Sequence, residues 1–400
     1  MKKNALSLLA AMILCLLLSA GVSSAFAEEK TVSFPCGVTA DIAATQLDLS
    51  AMKHSQVQET IEKLAEMTEL EYVYLGSEWT EDGVTETESE TDPEALTWED
   101  IAAIWDACGD ADVEYRFMLY GYEYSTLDET FDLNHLTITD NGALVREILP
   151  CMRRCKTLDM DFCGVDDEHM AQIREDYPDI DVIWRIWFGT NCSVRTDVER
   201  ILASNLDHAL TDENSASLKY CTKVRLLDIG HQHITDISFM ENMKDLEVCI
   251  IAINPIVDLT PISNCTNLEY LEIAATNAYD LAPLASLTKL EYLSIVQLNG
   301  SEPVEHWEAL QNLKCLKKLY IGQYFKPDIS AEELEELKAA LPNTEINAED
   351  ETLVAGWRYN VDTDWSKTER YALLCEQFEY SNYQNVCAYG KNDPRYYASH

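Results

Sequence analysis

Positive charge is scarce in this 400-residue chain: 29 lysines and arginines stand against 71 aspartates and glutamates, for a formal net charge of -42. Such a surface repels phosphate backbones and anionic lipid, which disfavours nucleic-acid and membrane-surface binding. It keeps an elongated exported chain in solution and leaves room for a basic partner. Long apolar runs are missing once the first twenty residues are passed, and no later stretch approaches the roughly 18 residues of a spanning helix. The motifs of common enzymes are absent as well: no G-x-S-x-G, no H-E-x-x-H, no G-x-G-x-x-G and no glycine loop to cradle phosphate. Carboxylates are so abundant that pairs at glycosidase-like separations arise by accident and carry no weight. No catalytic residue, cofactor or metal is expected.

What the first residues do contain is an export signal. Lys2 and Lys3 precede an apolar run from Ala5 to Ala20, and "AFA" precedes Glu28. That pattern reads as a signal peptide over residues 1–27, cleaved after Ala27, and a secreted or cell-surface-associated protein with an N-terminal segment at 28–45. Thirteen cysteines less Cys15 leave an even number in an exported chain, so disulfides are open to it. Cys249 and Cys265 stand where sister segments carry leucine and read as small buried hydrophobes. Cys375 and Cys387 form a candidate local pair; the rest are expected to be mostly free.

Three clusters invite a metal reading and are set aside. His231 and His233 lie in a turn with no third ligand at suitable spacing, and Cys151 and Cys155, with Cys163 beyond, suit a buried helix face. "NVDTDWSKTE" from Asn360 echoes a calcium loop, but Trp365 replaces the turning glycine and Tyr371 the bidentate glutamate.

The informative feature is repetition. Five segments begin apolar-x-x-apolar-x-apolar: "VRLLDI" at Val224, "LEVCII" at Leu246, "LEYLEI" at Leu268, "LEYLSI" at Leu290 and "LKKLYI" at Leu316. The first three spacings are 22 residues and the next is 26. Three copies share a second half, "DISFM" at Asp236, "DLTPI" at Asp258 and "DLAPL" at Asp280. A period of this length indicates stacked units, since none can bury its apolar face alone. The first half alternates as a strand, Asn254 falls at a turn where a carboxamide bonds backbone, and the proline-bearing second half suits a short helical turn.

A longer unit surrounds these. "LTWEDIAAIWDACGDADV" from Leu96, "VDDEHMAQIREDYPDIDV" from Val165 and "ISAEELEELKAALPNTEI" from Ile329 align without gaps. Each predicts a helix capped by Thr97, Asp166 or Ser330, followed by a strand from Val113, Val182 or Ile346. Arg116 and Arg185 match on the outward side of the first two strands. Long irregular βα repeats are therefore expected over 46–223, interrupted by an acidic loop at 77–94, with regular repeats over 224–349 and an aromatic-rich tail, 350–400, as cap or small module.

The regular segments resemble the 22-residue leucine-rich repeats of bacterial internalin-like proteins. The expectation is an α/β fold: a right-handed leucine-rich-repeat solenoid with a parallel sheet of about ten strands and a C-terminal cap. The resemblance implies a non-enzymatic recognition protein that binds a protein or glycan. Alternation directs the third, fifth and seventh positions of each strand onto the concave face. Tyr270 and Tyr292 stack there about 5 Å apart, Tyr320 lies beside them, and Ile250, Glu272 and Asp228 adjoin. These six form the candidate ligand-binding site. A hydrolase with its site in the tail or in 120–195, and a passive envelope spacer, remain alternatives; a monomer is the default.

Overall fold

The computed structural model describes residues 30–77, 92–189, 192–203, 210–298, 300, 302–322, 329–348, 358–360, 364 and 366–378. The expected signal peptide, most of the acidic loop, Cys387 and the tail beyond 378 lie outside the described residues. The chain divides into two compact units, one through Met118 and one from Leu119 onward.

In the first unit, β1 (Thr31–Ser33) pairs antiparallel with β2 (Thr39–Asp41), and β3 (Gln46–Asp48), β4 (Tyr72–Ser77) and β5 (Asp112–Leu119) run parallel in that order. Helices α1 (Val57–Leu64) and α2 (Trp98–Cys108) make the crossovers. α2 starts where its sequence says it should. Thr97 Oγ1 accepts from Asp100 N at 3.2 Å, and the Asp100 carboxylate accepts from Thr97 N at 2.8 Å. This reciprocal cap satisfies two orphan amides and stabilises the helix by about 1 kcal/mol.

The second unit holds β6 (Tyr122–Ser125), then a parallel trio of β7 (Thr130–Asp132), β8 (Thr157–Asp159) and β9 (Asp181–Ile183), with α3 (Ala143–Ile148) and α4 (Asp167–Asp176) between them. The chain next folds back on itself: β10 (Arg185–Phe188) pairs antiparallel with β11 (Cys192–Arg195). After that come seven parallel strands in sequence order: β12 (Arg200–Leu202), β13 (Leu226–Asp228), β14 (Val248–Ile250), β15 (Tyr270–Glu272), β16 (Tyr292–Ser294), β17 (Lys318–Tyr320) and β18 (Glu345–Asn347). α5 (Asp212–Ser215) precedes β13, α6 (Ala331–Ala340) precedes β18, and α7 (Glu369–Gln377) closes the described chain.

One uninterrupted sheet of about ten strands is therefore corrected. The expected strand "VIWRIWF" breaks at Trp184, whose N–H donates to Thr196 Oγ1 at 3.3 Å and whose carbonyl accepts from Thr196 N at 2.8 Å. Its second half leaves the parallel trio for the hairpin. Arg185, expected to face outward, is buried on Asp161 instead. The seven-stranded sheet and its period fit a leucine-rich-repeat fold.

Two repeating devices hold the period. Asp236, Asp258 and Asp280 each accept, at 2.8 Å, the amide two residues on and so open the 3-10 turns Ser238–Asn242, Thr260–Asn264 and Ala282–Ser286. These turns line up as neighbours along the sheet. Asn254 is the second device. Its carboxamide nitrogen donates to Ile229 O (2.9 Å) and Ile251 O (3.0 Å), and its oxygen accepts from Ile234 N at 3.2 Å.

A third regularity has no trace in residue type. Five residues beyond the start of β7, β8, β13, β14, β15 and β16 stand His135, Phe162, His231, Ile253, Ala275 and Gln297, all left-handed with φ between 54° and 60°. The turn geometry belongs to the repeat, and in the regular copies the amide there reaches the carbonyl of the next repeat, as from Ile253 N to Ala274 O at 2.8 Å. For a β-branched residue the left-handed region is costly. Ile253 is 43% exposed, so little packing compensates the strain. Ile253→Asn is expected to stabilise the protein by about 1 kcal/mol, read as a rise of about 2–4 °C in melting temperature.

Candidate functional site

The register of the sheet fixes which side chains share its open-expected face. Tyr270 pairs with Tyr292, while Asp228, Ile250, Glu272, Ser294 and Tyr320 form the next row across five strands. The two tyrosine rings stack with centroids 4.8 Å apart and planes 11° from parallel, as the strand spacing dictates. Tyr320 sits one row over. The structure thus brings the six candidate residues onto one face.

That face is covered rather than open. Tyr270 and Glu272 are 1% exposed, Tyr320 3%, Asp228 4% and Ile250 5%; only Tyr292 is half-buried. The tail covers the concave face on which the candidate ligand-binding residues lie. Tyr371, Leu374, Cys375 and Phe378 of the α7 region pack in one cluster with Leu226, Val248, Ile250, Tyr270 and Tyr320, and Tyr359 packs against it. The small residues Ala252, Ala274 and Val296 in the adjoining row make the room.

Two arginines anchor the tail at the polar points of the sheet. Arg358 Nη2 donates to Glu272 Oε2 at 2.9 Å, with Nε 2.9 Å from Oε1. Arg370 Nε donates to Tyr270 OH at 2.8 Å and its Nη2 to Glu269 Oε2 at 2.6 Å. Arg200 donates from the sheet to Phe378 O, and Arg225 lies 5.1 Å from the Phe378 ring centre. α7 is capped by Thr368, which accepts from Tyr371 N at 3.3 Å. The aromatic content of the tail draws notice in the sequence, but Arg358 and Arg370 do not. The signal that could have found α7 is the spacing of Tyr371, Leu374, Cys375 and Phe378, one apolar stripe of a helix.

Burial pushes the Tyr270 phenol above its ordinary range, partly offset by the hydrogen bond and charge of Arg370. A raised phenol favours the neutral, covered form. Its contribution to tail docking is whole below the ordinary tyrosine pKa of about 10 and is lost as pH rises from there through the folded value. Phenolate absorbance, differenced against Tyr270→Phe, is expected to show one late-titrating tyrosine whose ionisation coincides with loss of near-ultraviolet ellipticity.

A second polar cluster is internally paired. Asp161 binds Arg185 through two hydrogen bonds of 2.8 Å, and Arg195 reaches Asp159 and Asp197 at 2.9 Å. Burial raises the Asp159 carboxyl against the pull of Arg195. Asp159 and Asp161 are both committed to arginine. Cys163 donates to Leu133 O at 2.8 Å, and burial pushes its thiol up to about 12. Cys151 is buried; Cys155, Cys249, Cys265 and Cys375 are buried free thiols, which removes the Cys375–Cys387 pairing, and Cys192 is disulfide-bonded. His231 and His233 are exposed. Among the described residues no group of three or more histidine, cysteine or acidic side chains could hold a metal, and no helix is long and apolar enough to cross a membrane. Asp362 and Trp365 of the calcium-like stretch lie outside the described residues.

No protein-family model matches the chain, and no curated protein does. Among solved structures it is similar to three proteins of Listeria monocytogenes. An internalin, inlF, is 20% identical over 46% of this chain, at a TM-score of 0.29. Internalin C2 is 17% identical over 64% of this chain and 86% of its own, at 0.31. The functional domain of InlJ, described as including a cysteine ladder, is 15% identical over 72% of this chain and 45% of its own, at 0.28. The chain spans about half (55%) of inlF. The leucine-rich-repeat reading stands on the sheet and its 22-residue period, independently of these likenesses.

Proposed function

We propose that this chain is an exported, non-enzymatic protein-interaction scaffold that recognises a polypeptide on the β12–β17 face, with Tyr270, Tyr292, Tyr320, Ile250, Glu272 and Asp228 as the binding residues. One observation carries the reading: the face already holds a polypeptide, the α7 segment, through an apolar stripe and arginine–glutamate contacts. A surface built of aromatic side chains and buried carboxylates has the make-up of protein recognition sites. It favours a peptide or protein over a glycan, because Glu269, Glu272 and the Tyr270 hydroxyl are met by guanidinium groups of the tail. The net charge of -42 supports a basic partner.

The test is a photo-crosslinking side chain placed at Tyr292, which is half-exposed at the edge of the covered face, or at Glu241 on an exposed 3-10 turn. Incubation with bacterial and host surface extracts is expected to give protein adducts from position 292 and not from 241. Adducts from 241 alone, or none from 292, would move recognition off this face.

A further inference from the structure

We propose that the β12–β17 face is an exchangeable helix-binding groove, that its external ligand is an amphipathic helix carrying an arginine beside an aromatic-aliphatic stripe, and that α7 is its tethered competitor. The proposal rests on the recognition reading above and adds the ligand class and its regulation.

The fit is one of matching periods. Arg370, at the start of α7, bonds Tyr270 and Glu269 at β15, whereas Phe378, just past its end, meets Arg225 and Arg200 at β13 and β12. The helix therefore crosses the strands. Three strand spacings amount to about 14 Å, and eight helical rises to about 12 Å. One helical turn, about 5.4 Å, nearly equals one strand spacing, about 4.8 Å. Tyr371, Leu374 with Cys375, and Phe378 follow at successive turns and share one cluster with Leu226, Val248, Ile250, Tyr270 and Tyr320 of successive strands. That match depends on a stripe at i, i+3, i+4 and i+7, and not on the identity of this one segment.

Charge narrows the class. Glu247, Glu269 and Glu291 recur at 22-residue spacing just before β14, β15 and β16. Arg225 engages Glu247 at 2.8 Å and Lys317 engages Glu291 at 2.8 Å, while Glu269 is met by the tail's Arg370. Glu272 is met by the tail's Arg358. An incoming helix must bring a guanidinium to Glu269, while Arg358, which precedes α7, stays on Glu272. Arg is favoured over Lys where paired, partly buried carboxylate contacts are needed.

Exchange is favoured by how the tail is held. A nine-residue helix is marginal alone and folds as it docks. Ser294 Oγ, fully buried in the same row as Glu272, has no hydrogen-bond partner among the described residues, an imperfection a fixed core would shed. Part of the hold is ionic, and a buried ion pair such as Arg358–Glu272 is weak evidence for net stability.

A labelled peptide spanning Lys367–Phe378 with Cys375→Ser is titrated by fluorescence anisotropy into the full chain, into Leu374→Asp and into Arg370→Glu. Either substitution weakens the resident tail. The expected result is binding at least about tenfold tighter to both variants than to the unmodified chain, lost when the peptide itself carries Arg370→Glu. Equal affinity for all three chains, or no binding to a variant that still melts cooperatively, would overturn the proposal and make α7 a fixed cover. If Leu374→Asp fails to fold, the Arg370→Glu arm decides, because that side chain is 40% exposed. Peptide exchange with no adduct from position 292 would retain the exchangeable groove with α7 as its occupant and overturn the external ligand. Adducts without peptide exchange would do the reverse.

Discussion

Replacing Asn254 by alanine is expected to lower unfolding free energy by about 3–5 kcal/mol, with a fall of about 10 °C in melting temperature. The side chain is 1% exposed, and its three hydrogen bonds end on backbone groups of two successive repeats and the turn between them. Water cannot enter to replace them without opening the stack. Each carbonyl or amide left without a partner costs about 1–3 kcal/mol. Thr276 occupies the same place one repeat on and makes a single bond, to Ile273 O at 2.9 Å. Thr276→Val should therefore cost about 1 kcal/mol. Thermal melts of the two variants side by side check the ratio, and equal losses would mean that the turn does not depend on the carboxamide.

Asn254 also shows what the sequence made legible. Its place in a 22-residue period predicts its role, and the three aligned helices start on Thr97, Asp166 and Ser330 as their capping patterns require. Those signals are local: a cap and its amide lie three residues apart, and a strand repeats its alternation within six. The left-handed column at His231, Ile253, Ala275 and Gln297 is periodic too, yet hidden, because Ile253, Ala275 and Gln297 are not residues that favour the conformation. The stack imposes it. The break at Trp184 was invisible for a related reason, since alternation marks a strand without naming its partner.

The cover over the face was the hardest to foresee. Alternation correctly assigns Tyr270, Glu272 and Tyr292 to one side of the sheet, but says nothing of what lies above that side. The groups that answer, Arg358 and Arg370, are 86 and 100 residues away from Glu272 and Tyr270. Only the apolar stripe of the "ERYALLCEQF" segment pointed to a missing surface. A helix with a stripe needs a face, and this sheet offers one.

The Arg358–Glu272 pair gives the second large expected effect, and its size depends on what the molecule does next. Glu272 is 1% exposed in the middle of the sheet row, so Arg358→Ala leaves a carboxylate buried without its counter-charge, a loss of about 3–5 kcal/mol if nothing moves. The tail does not have to stay. Undocking α7 returns Glu272 to water, so the measured loss is capped at the free energy that holds the tail down. Arg358→Ala is thus expected to expose Arg370 to trypsin at least about tenfold faster while shifting the main melting transition by less than the full penalty. Glu272→Leu combined with Arg358→Met removes both charges and keeps apolar volume, and should restore slow cleavage. If the double variant cleaves as fast as Arg358→Ala, the pair is holding the tail by attraction. If it is as slow as the unmodified chain, the pair selects which segment may dock, and the apolar stripe supplies the hold.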